Sequence, residues 1–262
     1  MKLDDAQLEQ FDRDGFLIFP DLFSAAEIAA VRAELPALFA EDTDANITEK
    51  KGGAVRTSMG LHLRNNMFGK LVRHPRLVEP ARLIAGPDLY IQQVKVNVKA
   101  AFEGDQWQWH YDFATHHNED GVPEPLALNL HIFLDDVNHY NGPLYFIPGS
   151  HKQGPVPAFH DTTSTSYPLW VVDREPLADL IAAGGITPAI GKAGTGLIFS
   201  DLLVHGSPAN MSPWNRGIFS LILNPVNNAQ IKFERPEYKH HTDFTPVEPL
   251  RDDCLLTDPA SR

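Results

Sequence analysis

From Leu89 onward the chain is cut into short runs that alternate or are wholly apolar, and Gly, Pro and Asn separate them. YIQQVKVNVK, LALNLHIFL, LYFI, GLIF and GIFSLIL are the clearest of these runs. Repeated short strands with turn residues between them force a sandwich or barrel, because no single strand can bury both of its faces alone. The predicted strands are Leu89–Lys99, Gln106–Phe113, Leu126–Leu134, Leu144–Ile147, Gly196–Phe199 and Gly217–Leu223.

The first 88 residues have a different texture. Leu3 to Asp14 reads as an amphipathic helix stopped by Gly15, and Phe16 to Phe19 as a brief strand. Ser24 followed by Glu27 is a capping box for a second helix, which Pro36 should kink or end. A further helix spans about His74 to Ile84, with Gly86 and Pro87 beyond it. Helices first and strands later predict an α+β chain with a mainly β core. One domain over 1–262 is expected: a helical part over 1–88, the core over 89–224 and a C-terminal wrap over 225–262. The hydroxyl-rich segment His160–Pro168 reads as a long loop and a lid candidate.

The chemistry-bearing residues fall inside the β portion. On a strand, i and i+2 share a face, so His110 and Asp112 of WQWHYDF would project together while Tyr111 points away. Alone, such a pair is equally a hydrogen-bonded couple in a polar cleft. His205 adds a second imidazole at the end of an apolar strand, and two histidines with one carboxylate form the facial ligand set of non-haem Fe(II) oxygenases. Arg216 follows eleven residues later (216 − 205), and a buried arginine needs an anion.

A formal net charge of −12 argues against nucleic acid or an anionic membrane surface as partner. It says little about the expected small-molecule substrate, because a local basic pocket can sit in an acidic protein. A single cysteine, Cys254, and a charged start without an apolar leader predict a cytoplasmic protein. Oligomeric state is left open, a homodimer included.

The runs QQVKVNVK, WQWHYDF, NGPLYFIPGSHK and VHGSPANMSPWNR resemble the phytanoyl-CoA dioxygenase family of Fe(II)/2-oxoglutarate-dependent oxygenases, and within it the ectoine hydroxylase-like bacterial branch. The resemblance covers roughly residues 90–224, with DGFLIFPDLFS matching as well. It implies a double-stranded β-helix, a jelly-roll or cupin-like fold, with the N-terminal helices packed on it. It makes His110, Asp112 and His205 the iron ligands. Arg216, Ser207, Asn97, Lys99 and His131 would hold 2-oxoglutarate, and O2 is the co-reactant. The implied reaction is hydroxylation of a small amino acid or amino-acid derivative. Family members that halogenate carry a small residue where this chain has Asp112.

Gln93 falls at a substrate position of that branch. Arg56, Arg64, Phe113, His116 and Trp170 are further substrate candidates, with Arg56 and Arg64 flanking a loop able to close. Trp109 is read as core, and His139, His151, His240 and His241 as surface residues. The chain departs from the branch at His116 and Ile218. Two other readings stay open: the same chemistry on a larger acyl or secondary-metabolite substrate, and a jelly-roll binding protein without activity.

Overall fold

Local capping sets the first elements of the computed structural model, which describes residues 2–257. Helix α1 (Asp5–Asp14) starts at a capping box between Asp4 and Gln7 and stops at Gly15, whose φ of 84° suits glycine. Strand β1 (Phe16–Phe19) follows, then α2 (Ala25–Phe39), opened by the predicted Ser24–Glu27 box. Pro36 does not end α2. The helix continues to Phe39, with the Ala40 amide donating to the Pro36 carbonyl and Leu38 buried in the core. Proline removes only its own donor and crowds the turn before it, so the turn after it can still form.

Strands β2 (Asn46–Thr48) and β3 (Val55–Met59) come next, then the short helices α3 (Leu61–Arg64) and α4 (Asn66–Leu71) and the longer α5 (Pro75–Ala85). The loop expected between Arg56 and Arg64 is therefore a strand and a helical turn. The core continues with β4 (Leu89–Lys99), β5 (Trp107–His110), α6 (Asp112–Asp120), β6 (Leu128–Phe133) and β7 (Leu144–Phe146). Then follow β8 (Ala158–Asp161), β9 (Leu169–Val172), α7 (Arg174–Gly184) and β10 (Thr187–Ala189). Strands β11 (Gly196–Ser200), β12 (His205–Ser207) and β13 (Arg216–Pro225) complete the set.

Two antiparallel sheets face each other. The larger runs β1-β11-β6-β13-β4-β3-β2 and the smaller β10-β7-β12-β5. Alternation divides the larger sheet cleanly. Val94 and Val96 of β4, Leu130 and Ile132 of β6, and Phe219, Leu221 and Leu223 of β13 turn outward. They meet Ile28, Val31, Phe68, Leu77 and Val78 of the N-terminal helices. The opposite parity turns inward, where Phe133, Leu197, Phe199 and Ile218 pack on Leu144 and Phe146 of the smaller sheet. This is the expected double-stranded β-helix with helices on one face. Gln93, Lys95, Asn97, His131 and Arg216 share the inward parity, which makes part of the interior polar.

The segment at 160–168 is not a plain loop. Its first residues belong to β8, which pairs with β9 as a separate hairpin. The hairpin tip is tied to the domain: Ser166 Oγ donates to Glu49 and Lys50 Nζ to the Thr163 carbonyl. The described part of the C-terminal segment runs beside β4. The amides of His241 and Val247 bond the carbonyls of Gln92 and Leu89 along β4. Two of its supposed surface residues are not at the surface, since His240 and His241 are buried. No helix among the described residues is long and apolar enough to cross a membrane.

Strand β13 is buried along its whole length and is hydrogen-bonded on both sides. Leu221→Ala should therefore remove about 3 kcal/mol of stability. Chemical denaturation should show a lower midpoint at unchanged slope.

Candidate active site

His110 ends β5 and His205 begins β12, and the two are direct cross-strand partners in the smaller sheet. Their rings lie 4.2 Å apart between centroids. Asp112 reaches them by another route than the one predicted. The strand ends at His110, Tyr111 caps, and Asp112 is the first residue of α6. Tyr111 is buried and gives its hydroxyl proton to the Val156 carbonyl at 2.8 Å. The carboxylate gains from its place in the first turn of the helix. One potential ligand atom from each of His110, Asp112 and His205 lies within 4.8 Å of the others.

The tautomers follow from the backbone. His110 Nδ1 lies 2.6 Å from the Gln108 carbonyl and His205 Nδ1 2.8 Å from that of Leu203. A carbonyl only accepts, so each Nδ1 carries the proton and each Nε2 keeps its lone pair. Both Nε2 atoms face Asp112, at 3.7 and 3.8 Å. Burial, with the neighbouring His205, brings the His110 pKa down to about 3. Burial pushes Asp112 upward, but His205, Lys95 and His110 outweigh it and leave the carboxyl well below its usual range. Two neutral nitrogens and one carboxylate, all buried or nearly so, are ready to hold a divalent metal.

These residues line one cavity of about 660 Å³, its open mouth included, together with Gln93, Asn97, His116, His131 and Arg216. Arg216 is only 1% exposed. Its Nε donates to the Gly142 carbonyl and its Nη2 to Ser207 Oγ, each at 3.0 Å. Ser207 in turn donates to the same carbonyl at 2.9 Å. No carboxylate pairs with this guanidinium among the described residues, and burial draws its pKa down to about 9. A buried cation without a counter-ion marks an anion site. Gly142 explains part of the NGPLYFIPGSHK run. It has φ of 78°, and a Cβ there would lie 2.6 Å from Lys99 Cδ and 2.8 Å from the Pro208 carbonyl oxygen.

Several expected residues stand elsewhere. Lys99 pairs with Arg216 in register, but its ammonium is taken by the carbonyls of Asp105 and Pro208, outside the cavity lining. Arg56 forms a buried ion pair with Glu49 and lies 4.0 Å over the ring of Trp107, behind the wall. Arg64 is bound to Glu41 and Ser58. Phe113 is on the far side of α6, packed in a separate core with Val172 and Val204. Trp170 stacks on His160 and donates to Glu119. Trp109 lies against Tyr145, outside the cavity.

The cavity also holds residues not anticipated: Lys95, Trp107, Thr115, Leu144, Tyr167, Leu169, Ile218 and Arg235. Alternation from Gln93 through Asn97 could have given Lys95, and alternation from Arg216 could have given Ile218. Tyr167 arrives from the 160–168 segment read as a lid candidate, and Arg235 from the C-terminal wrap, where no local signal points to the cavity.

Residues 11–218 match the phytanoyl-CoA dioxygenase family. The chain belongs to that family. Among its curated relatives, the ectoine dioxygenase of Bordetella parapertussis is 38% identical over 232 residues, 85% of this chain and 75% of that one. The L-proline trans-4-hydroxylase of Streptomyces griseoviridis is 34% identical over 259 residues, 94% and 96% of the two chains. The crystal structure of EctD from S. alaskensis with 2-oxoglutarate and 5-hydroxyectoine superposes with a TM-score of 0.80 at 33% identity. It covers 95% of this chain and 86% of that one. The same protein with bound Fe gives 0.83.

In this member of the phytanoyl-CoA dioxygenase family, the Gly142–Ser207–Arg216 cluster is a test of how the anion site is built. Gly142→Ala should cost about 2 kcal/mol or more, because φ is positive and the added methyl meets Pro208. Ser207→Ala should cost about 1 kcal/mol. Unfolding curves in urea would rank the two.

Proposed function

We propose that this cavity is the active site of an Fe(II)- and 2-oxoglutarate-dependent dioxygenase that hydroxylates a small amino acid or amino-acid derivative. The observation that carries the reading is one cavity holding both an N,N,O ligand cluster and a buried, unpaired guanidinium. The relatives named ectoine dioxygenase and L-proline trans-4-hydroxylase support the substrate class.

In this reading His110, Asp112 and His205 hold Fe(II), with the Gln108 and Leu203 carbonyls fixing both imidazoles. The donor set fits the metal: two neutral imidazoles and one carboxylate are typical of Fe(II) sites that keep positions open. Bound Fe(II) would couple O2 activation to oxidative decarboxylation of 2-oxoglutarate, releasing succinate and CO2. Arg216 anchors the distal carboxylate of 2-oxoglutarate, and Ser207, outside the cavity lining, orients its guanidinium. Asn97, oriented by the Thr57 hydroxyl at 2.8 Å, and His131 line the same wall. Lys99 supports this end through the backbone at Asp105 and Pro208 without facing the cavity.

Gln93 stands in the cavity with its amide nitrogen donating to the Lys239 carbonyl at 2.7 Å and its oxygen accepting from Lys95 at 2.6 Å. The substrate lies between this group and the metal. Trp107, Tyr167 and Leu169 wall it from water.

Anaerobic addition of Fe(II) and 2-oxoglutarate should give the weak visible charge-transfer band of a chelated keto acid. Absence of the band together with absence of metal uptake would overturn the assignment. Asp112→Ala or His205→Ala should abolish succinate formation. Arg216→Ala should raise the 2-oxoglutarate requirement about 10- to 100-fold, the loss expected for a charged hydrogen-bond anchor.

A further inference from the structure

Cationic side chains outnumber carboxylates in the lining of this cavity. Among its described lining residues Asp112 is the one carboxylate, whereas Lys95, Arg216, Arg235 and His116 all carry or can carry positive charge. Two of these are backed by buried acids outside the lining. Arg235 Nη1 donates to Asp120 Oδ2 at 2.8 Å, and Asp120 is 1% exposed. His116 Nδ1 lies 3.1 Å from the Asp201 carboxylate, which is fully buried.

His116 owes its place to α6. It follows Asp112 by four residues, so the two side chains share one helix face, with Thr115 beside them in the cavity. Asp201 cannot donate while ionised, so Nδ1 carries the proton and Nε2 is the nitrogen left for the cavity. The Asp201 charge favours the doubly protonated ring, which then donates from Nε2, while burial pushes the Asp201 carboxyl upward against it. Burial lowers the His116 pKa, and the charge and hydrogen bond of Asp201 more than reverse this. His240 closes the rear of the cluster, its ring 6.2 Å from His116 and its Nε2 3.4 Å from Asp120.

Resting on the dioxygenase reading above, we propose that His116, held by Asp201, is a substrate-anchoring residue, and that with Arg235 it selects substrates bearing a carboxylate. Asp201 and Asp120 are positioning residues. They fix the two donors without touching substrate. The lining offers no free acid to an ammonium group, so the carboxylate is the charged end that is read.

The experiment uses the full chain with Fe(II) and 2-oxoglutarate under anaerobic conditions, with the charge-transfer band as readout. L-Proline and ectoine are the carboxylate probes, and L-prolinamide, which keeps the ammonium and lacks the carboxylate, is the control. In the wild type at least one acid should perturb the band, with prolinamide at least tenfold weaker. His116→Leu should weaken acid binding at least tenfold while the band from 2-oxoglutarate stays intact, which also reports that the variant is folded. His116→Gln, which keeps a donor near the Nε2 position, should recover part of that loss. In air, His116→Leu should raise KM for substrate more than it lowers kcat.

Equal response to acid and amide overturns the proposal, as does no response to either acid. An unchanged affinity in His116→Leu does so too. Loss of the 2-oxoglutarate band in the wild type would instead count against the dioxygenase reading itself.

Discussion

The pairing of β12 with β5 is the contact on which the rest depends. It sets His205 directly across from His110, and the carbonyls two residues before each histidine fix both rings. A shift of one residue would turn either histidine to the opposite face. The strands are short, four and three residues, so their register cannot be held by their own hydrogen bonds alone. Strand β7 pairs on the other side of β12, and Phe146 and Phe199 pack against His205. Aromatic packing and a second ladder therefore secure the metal-binding geometry.

The interior of this sandwich is unusual in carrying much charge beside its apolar core. Each buried group has its own solution. Arg56 meets Glu49, Lys99 meets backbone carbonyls, and His116 meets Asp201. Arg216 has only neutral partners among the described residues and, unlike Lys99, lines the cavity, so it remains open to an anion. The outward face of the larger sheet, covered by α2, α4 and α5, supplies the apolar burial that lets the inward face be polar. Stability and chemistry are thus separated by the pleat of the same strands.

Much of this was legible in the residues. The stop of α1 at Gly15, the capping box of α2, the extent of β4 and the clustering of His110, Asp112 and His205 follow from local patterns and motif spacing. The misreadings have one cause, that local pattern does not see tertiary context. Gln106–Phe113 has the composition of a strand throughout, yet it turns helical at Asp112. Phe113 consequently rotates into another core, while His116 rotates into the cavity. Arg56 and Arg64 carry charges that look available until Glu49, Glu41 and Ser58 are seen beside them. Tyr167 and Arg235 come from segments whose sequence marks them only as irregular, and the fold alone brings them in.

The change from strand to helix at Tyr111 has a consequence for regiochemistry. A metal ligand and a cavity residue sit one turn apart on the same rigid helix, separated by about 6 Å of rise. A substrate held at His116, as proposed, would be measured against the metal along this helix rather than by the relative position of two sheets. Which carbon is presented for oxidation would then depend on the length of the substrate from its held end.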